Sequence, residues 1–191
     1  MTLAIEYRAE DYTAAIRHNA SRATSEVWAE GTAWYRTAHG TAADFAARYG
    51  TSVDTAARVI AVLSPRKRWA ENVEAARIIL SAYADGQTSR PVIAGIFGAN
   101  LDKAWRIVNG EPEALSGPKV TRFYQNIMGT EHEVTLDVWA MRGAGSDLIA
   151  PNGPNMYAAI AEAYCIIAAE FGVSPSALQA VVWTVVRGSG I

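Results

Sequence analysis

Apolar residues recur at three- and four-residue spacing along nearly the whole chain, the period that gathers them on one face of an α-helix. "AEDYTAAIRHNAS" and "TSEVWAEGTAWYRTAH" follow it on either side of residue 22. Thr41-Ala-Ala-Asp44 reads as a capping box opening a separate helix, "AADFAARYG", which Gly50 is placed to end. "SVDTAARVIAVL" (52–63) then puts Val53, Ala56, Ala57, Ile60 and Leu63 on one buried face. "SPRKRW" breaks that helix, since proline disfavours a helical residue before it. "AENVEAARIILSAYADG" resumes as a helix, "QTSRP" is a loop, and "IFGANLDKAWRIVNG" is one helix or two short ones ending at Gly110. After "GAGSDLIAPNGPN", rich in Gly, Pro and Asn and hence a connection, come "MYAAIAEAYCIIAAEFG" and "SPSALQAVVWTVVRG". The last opens with Ser174 as N-cap and Pro175 at the first helical position. "EVTLD" alone has strand character, so the pattern predicts an all-α fold.

Composition narrows the class. A chain of 191 residues is long enough for one sizeable domain or two small lobes sharing a core. With 50% hydrophobic residues and a formal net charge of −2, it has the balance of an ordinary soluble globular protein. A non-specific nucleic-acid coat carries a strong positive excess, so any DNA contact has to come from a local basic patch. The single cysteine, Cys165 in "AYCIIAAEF", excludes a disulfide framework within the chain and a cysteine-ligated metal site, and reads as a small buried hydrophobe. "MTLAIEYRAEDY" lacks a basic segment followed by an apolar one, and no apolar run approaches the ~20 residues of a membrane span. The expectation is a soluble, cytoplasmic protein without a membrane partner.

Two points in "LSGPKVTRFYQNIMGTEHEVTLDVWAMR" (115–142) stand where the chain changes direction. Lys119 follows Gly117 and Pro118, which places it in the first turn of a helix. A cation is disfavoured there by the helix dipole and the unpaired amide groups, and a neutral amine is what a nucleophile needs. A solvated lysine at a helix end is the commoner fate of a lone lysine. Asp137 follows the strand-like run and precedes "VWAMR", where it can N-cap the next helix. Capping alone explains it, yet a capping carboxylate beside a substrate also stabilises developing positive charge. Arg66, Lys67 and Arg68 crowd the turn between two apolar helices, either as a solvated turn or as a phosphate contact. Trp69 beside them can stack on a base or pack beneath the turn. His18, His39 and His132 have no ligand spacing, and no Walker-type loop, GxSxG elbow or HExxH motif is present, so neither a metal nor a cofactor is expected.

Together these pieces resemble the helix-hairpin-helix DNA glycosylase superfamily, the endonuclease III-like group. That group carries a hairpin of the form L-P-G-V-G-x-K, whose lysine attacks the sugar, followed by a V-D-T-H-like segment with an essential aspartate. Lys119 and Asp137 are 18 positions apart, as in that family, and Asn126 falls where the family often has asparagine. Upstream, "ARVIAVLSPRKRWAENVEAARIIL" is similar to the family's "LIAVLLSAQ…D…VN…A" helix pair, whose turn pushes into the DNA helix. The matches span Ala57–Leu80 and Leu115–Arg142. Here the hairpin is two residues shorter and lacks the second glycine, "PRKR" replaces the glutamine after "LSA", and the four-cysteine cluster loop is absent, as in many members. In this divergence the chain resembles short bacteriophage-encoded members.

The resemblance implies a two-lobed helix-hairpin-helix glycosylase-like fold with the site in the cleft between lobes. One lobe would run over about 52–142, the other would combine 1–51 with 143–191, and the N-terminal helix would pack with the C-terminal ones. It implies N-glycosylase/lyase chemistry on a flipped, modified base in DNA, with Lys119 as nucleophile and Asp137 stabilising the cationic sugar or preparing the nucleophile. Arg66, Lys67, Arg68, Gly117 and Arg122 would contact DNA, and Trp69 and Trp139 would be the base-stacking candidates. Two other readings stay open. One is amine transfer onto an activated thymine, displacing pyrophosphate, in phage DNA hypermodification. The other is a non-catalytic phage protein that binds DNA or a host protein.

Overall fold

The computed structural model describes residues 6–188, and every regular element among them is helical. In chain order these are α1 (Glu10–Ser21), α2 (Ser25–Tyr49), α3 (Val53–Leu63), α4 (Trp69–Ala84), α5 (Gly98–Val108), a 3-10 turn (Pro112–Ala114), α6 (Pro118–Ile127), α7 (Val138–Gly143), α8 (Pro154–Phe171) and α9 (Pro175–Arg187). The helix starts follow local chemistry. Ser52 Oγ accepts from the Thr55 amide at 3.0 Å to cap α3, and Ser174 Oγ accepts from Ala177 N at 3.3 Å to cap α9. Proline occupies the first turn of α6, α8 and α9, where its missing N–H costs no helical hydrogen bond.

Two local expectations are corrected. Thr41 opens no separate helix: α2 runs unbroken through Gly40 and Thr41, and the Thr41 hydroxyl donates back to the Thr37 carbonyl at 3.2 Å. A hydroxyl bonded within its own helix is unavailable as a cap. The "EVTLD" run is extended but pairs with no strand among the described residues. Its polar backbone is served by a tyrosine instead: Tyr157 Oη donates to Val134 O at 2.7 Å and accepts from Leu136 N at 3.3 Å.

The chain divides into two compact units. One comprises Arg36–Thr130; the other combines the residues before Arg36 with those from Glu131 onward. The boundaries fall at residues 36 and 130, where the resemblance implies about 52 and 142. The second half of α2 joins the central unit, and the segment leading to Asp137 belongs with the terminal one.

In the central unit α3 is the hub, packing against α4, α5 and α6. Ala56, Ala57 and Val59–Leu63 are all buried, so α3 is apolar around nearly its whole circumference and has neighbours to match. Ile79 and Leu80 from α4, Leu101, Ala104 and Ile107 from α5, and Phe123 and Ile127 from α6 complete this core. Arg58, which leaves that core, is held by Asp54 one turn back (2.7 and 3.2 Å) and reaches the Tyr124 hydroxyl at 3.0 Å and the Pro112 carbonyl at 3.3 Å. This network ties α3 to α6 and to the 3-10 turn.

In the terminal unit α1 packs against α8 and α9, and α7 and α8 pack against α9. Ile16, Leu136, Met141, Ile160, Tyr164, Ile167, Leu178 and Val182 fill its core. Two glycines permit the closest approaches. A Cβ on Gly31 of α2 would meet Val181 Cα at 2.8 Å, and one on Gly143 of α7 would meet Val182 Cγ1 and, at 2.9 Å, the Tyr164 hydroxyl. On the surface Arg17 of α1 holds Glu170 of α8 through two hydrogen bonds of 2.8 and 2.7 Å. Among the described residues no single helix is long and apolar enough to cross a membrane.

Candidate functional site

Lys119 belongs to the central unit and Asp137 to the terminal one. Gly117 adopts φ +101°, a conformation an L side chain resists, and lets the chain turn directly into Pro118. Lys119 is therefore the second residue of α6, among amide groups that no side chain caps. It is half-buried and makes no hydrogen bond or ion pair among the described residues. A second ammonium stands at the same turn, since Lys103 Nζ donates to Ser116 Oγ at 2.7 Å. On the same helix Arg122 is half-buried, and Asn126 is buried with its amide donating to Thr130 O at 2.8 Å, which closes the C-terminal end.

Asp137 caps α7, its Oδ1 accepting from Trp139 N at 3.0 Å and Ala140 N at 2.9 Å. Its other oxygen accepts from none of the described residues. The cap is held from both sides: Tyr157 pins the backbone at Val134 and Leu136, and Tyr164 donates to Ala140 O at 2.9 Å. Burial pushes the phenols of Tyr35 and Tyr164 up, and the Asp137 charge adds to both shifts. Trp139 is half-buried, with the Arg142 guanidinium 4.8 Å from its ring centroid.

The basic turn is not uniform. Arg66 has φ +62°, sparsely populated for a residue with a side chain, and its exposed guanidinium lies 5.6 Å from the ring centroid of Phe97. Lys67 points back toward the protein. It pairs with Glu71 at 3.5 Å, its side chain is only 16% exposed, and its Nζ lies beside Gly95. Arg68 is exposed at the N-cap of α4 without a side-chain partner among the described residues, and Trp69 begins that helix half-buried.

Three features lie beyond the sequence reading. Phe97 beside Arg66 is half-exposed (50%). Tyr35 of α2 donates its hydroxyl proton to Gln179 Oε1 of α9 at 2.8 Å, and Thr135 hydrogen-bonds the same hydroxyl. Trp183, one turn beyond Gln179, packs edge-on against Trp34 at 5.9 Å. The available signal was Gln179 itself, an amide in the apolar run "SALQAVVW".

The class so defined is an all-helical protein of two compact units, with an unpaired lysine at one helix start and a half-used capping carboxylate at another. A family model described as "Family of unknown function (DUF7178)" matches residues 2–190, and the chain belongs to that family. No curated protein and no solved structure matches the chain.

Proposed function

We propose that the chain is a DNA-base-directed enzyme of the helix-hairpin-helix glycosylase type, with Lys119 as nucleophile and Asp137 as its carboxylate. The supporting observation is the state of Lys119. It is a half-buried cation in the first turn of α6, the disfavoured end of the dipole, and no carboxylate among the described residues compensates it. A lysine kept for stability alone would gain from an ion pair there.

In this reading the deprotonated Nζ attacks C1′ of a flipped nucleotide as the glycosidic bond breaks, and the base departs with that electron pair. The oxygen of Asp137 that caps nothing stabilises the positive charge developing on the sugar. Loss of the Nζ proton and opening of the sugar ring then give an iminium joining Lys119 to DNA. Arg66, Arg68 and Arg122, with the amides behind Gly117, hold phosphates, while Trp69 and Trp139 offer faces for stacking. No cofactor enters these steps.

The test is borohydride trapping on duplexes carrying an abasic site or a modified base. The reading expects a covalent protein–DNA adduct with the wild type and none with Lys119→Ala. DNA binding without an adduct or base release on any such duplex would favour the non-catalytic binding protein. Consumption of an amine without strand attachment would favour transfer onto the base.

A further inference from the structure

Among the described residues the four most exposed large apolar side chains fall in two loops. Val92 (89%) and Phe97 (50%) stand between α4 and α5, in the central unit. Leu148 (46%) and Ile149 (74%) stand between α7 and α8, in the terminal unit. Single exposed hydrophobics are ordinary, whereas a cluster with a polar rim marks a contact surface. The two loops differ in charge. Cations frame the first: Arg66 lies 5.6 Å from the Phe97 ring centroid, a Cβ on Gly95 would meet Lys67 Nζ at 2.8 Å, and one on Gly98 would meet Arg90 Nη2 at 4.0 Å. Glu71 answers Lys67 and Asp102 answers Arg90. Arg66 and Arg68 are exposed, and no carboxylate among the described residues answers either. In the second loop Asp147 is exposed beside Leu148, and no cation among the described residues answers it. That loop is presented from a fixed base. Gly145 N donates to Arg142 O at 2.9 Å, Ser146 N donates to Met141 O at 3.0 Å, and Ser146 Oγ accepts from Leu148 N at 3.3 Å. A segment already held loses less freedom on docking.

We infer that the chain self-associates head to tail, with Asp147, Leu148 and Ile149 of one copy docking on the Val92–Phe97 loop of a second copy. The carboxylate answers Arg66 and Arg68, and the two aliphatic side chains cover Phe97 and Val92. Each surface supplies the charge that the other lacks. Two copies of the basic loop would instead set Arg66 and Arg68 against their own kind, and like charges brought together oppose a contact. A contact between unlike surfaces leaves one of each free, so it either closes reciprocally in a pair or continues to further copies. This goes beyond the base-directed reading and does not rest on it. In that reading the same arginines take phosphates, so a bound duplex and a second copy compete for them.

The test is analytical ultracentrifugation of the full chain over a concentration series reaching about 1 mM, the range in which a small contact is seen. The mean mass of the wild type is expected to rise above the 20.5 kDa of one chain. Ile149→Asp and Phe97→Asp should each weaken association by at least about tenfold. Both should melt as the wild type does. Ile149 is an exposed loop residue, and Phe97 is the N-cap of α5, a position aspartate favours. Mixed in equal amounts, the two variants should form a one-to-one pair that neither forms alone. Ile149→Asp keeps an intact basic loop and Phe97→Asp keeps an intact acidic one, so one good contact is rebuilt. Wild type that stays monomeric throughout, variants that associate as the wild type does, or variants that fail to pair when mixed would each overturn the inference. Monomeric wild type that sediments with phosphatidylserine vesicles would overturn it too, and would assign the basic loop to an anionic membrane surface.

Discussion

Gly31 of α2 lies against Val181 of α9 so closely that a Cβ would meet the valine backbone nitrogen and Cα at 2.8 Å. Backbone atoms cannot swing aside as a side-chain end can. Gly31→Ala therefore has to move a helix, and overpacking of this kind costs about 1–3 kcal/mol. Alanine returns at most about 1 kcal/mol through helix propensity, so the melting temperature should fall. Gly40 sits in the same helix with no atom within 4 Å of its added Cβ, and Gly40→Ala should raise the melting temperature. Equal effects of the two substitutions, read by thermal unfolding, would contradict the close approach.

The Asp54 carboxylate feels two opposed influences. Burial works to raise its pKa, but hydrogen bonds from Arg58 and Tyr124 outweigh burial and hold it below the ordinary value. A depressed folded-state pKa contributes stability that is present above the unfolded value, about 3.9, and is lost as pH falls through the folded one. Asp54→Asn should accordingly be less stable than the wild type at neutral pH, and the gap should close on acidification below about pH 4. Urea unfolding at a series of pH values measures this. A gap that stays constant down to pH 2 (roughly the acid limit expected for such a paired carboxylate) would mean that Asp54 keeps its proton balance on unfolding.

Several of the caps and breaks were legible, because those features are local. Asp137 and Ser174 cap where the sequence places them, and the apolar stripe of 52–63 announces the buried hub. The unbroken α2 was not legible, since the Thr41 hydroxyl has two local partners in reach and the back-bond within the helix prevails. Nor was the unpaired "EVTLD" run, whose backbone partner is a tyrosine more than twenty positions away on α8. Lys119 and Asp137 stood out by position. Gln179 was not legible, because its partner, Tyr35, is 144 residues distant in sequence. Lys67 differs from its neighbours because Glu71, one turn on, claims it.

That last difference divides the basic turn. In the base-directed reading Arg66 and Arg68 reach phosphates while Lys67 stays with Glu71. Each phosphate contact adds about 0.9 to the slope of log affinity against log salt on duplex DNA. Arg66→Ala and Arg68→Ala should each flatten the slope by about that amount, and Lys67→Ala should leave it nearly unchanged. Fluorescence anisotropy across a salt series gives the slopes. Three equal effects would make the turn a diffuse patch, and three null effects would make it solvated surface.

Asparagine caps helices about as well as aspartate, so Asp137→Asn should keep α7 and the melting temperature nearly intact. An amide cannot stabilise a cationic sugar as a carboxylate does, so base release should drop by at least about a hundredfold. Circular dichroism and single-turnover assays on the same preparation separate the two. A stable variant with full activity would assign Asp137 to capping alone.

The most direct measurement is to digest the borohydride-reduced adduct with protease and locate the nucleotide mass by mass spectrometry. Attachment at Lys119, with no adduct from Lys119→Ala of unchanged melting temperature, is the result predicted. Attachment at Lys67, Lys103 or the N-terminal amine, or an undiminished adduct from Lys119→Ala, would contradict Lys119 as the nucleophile.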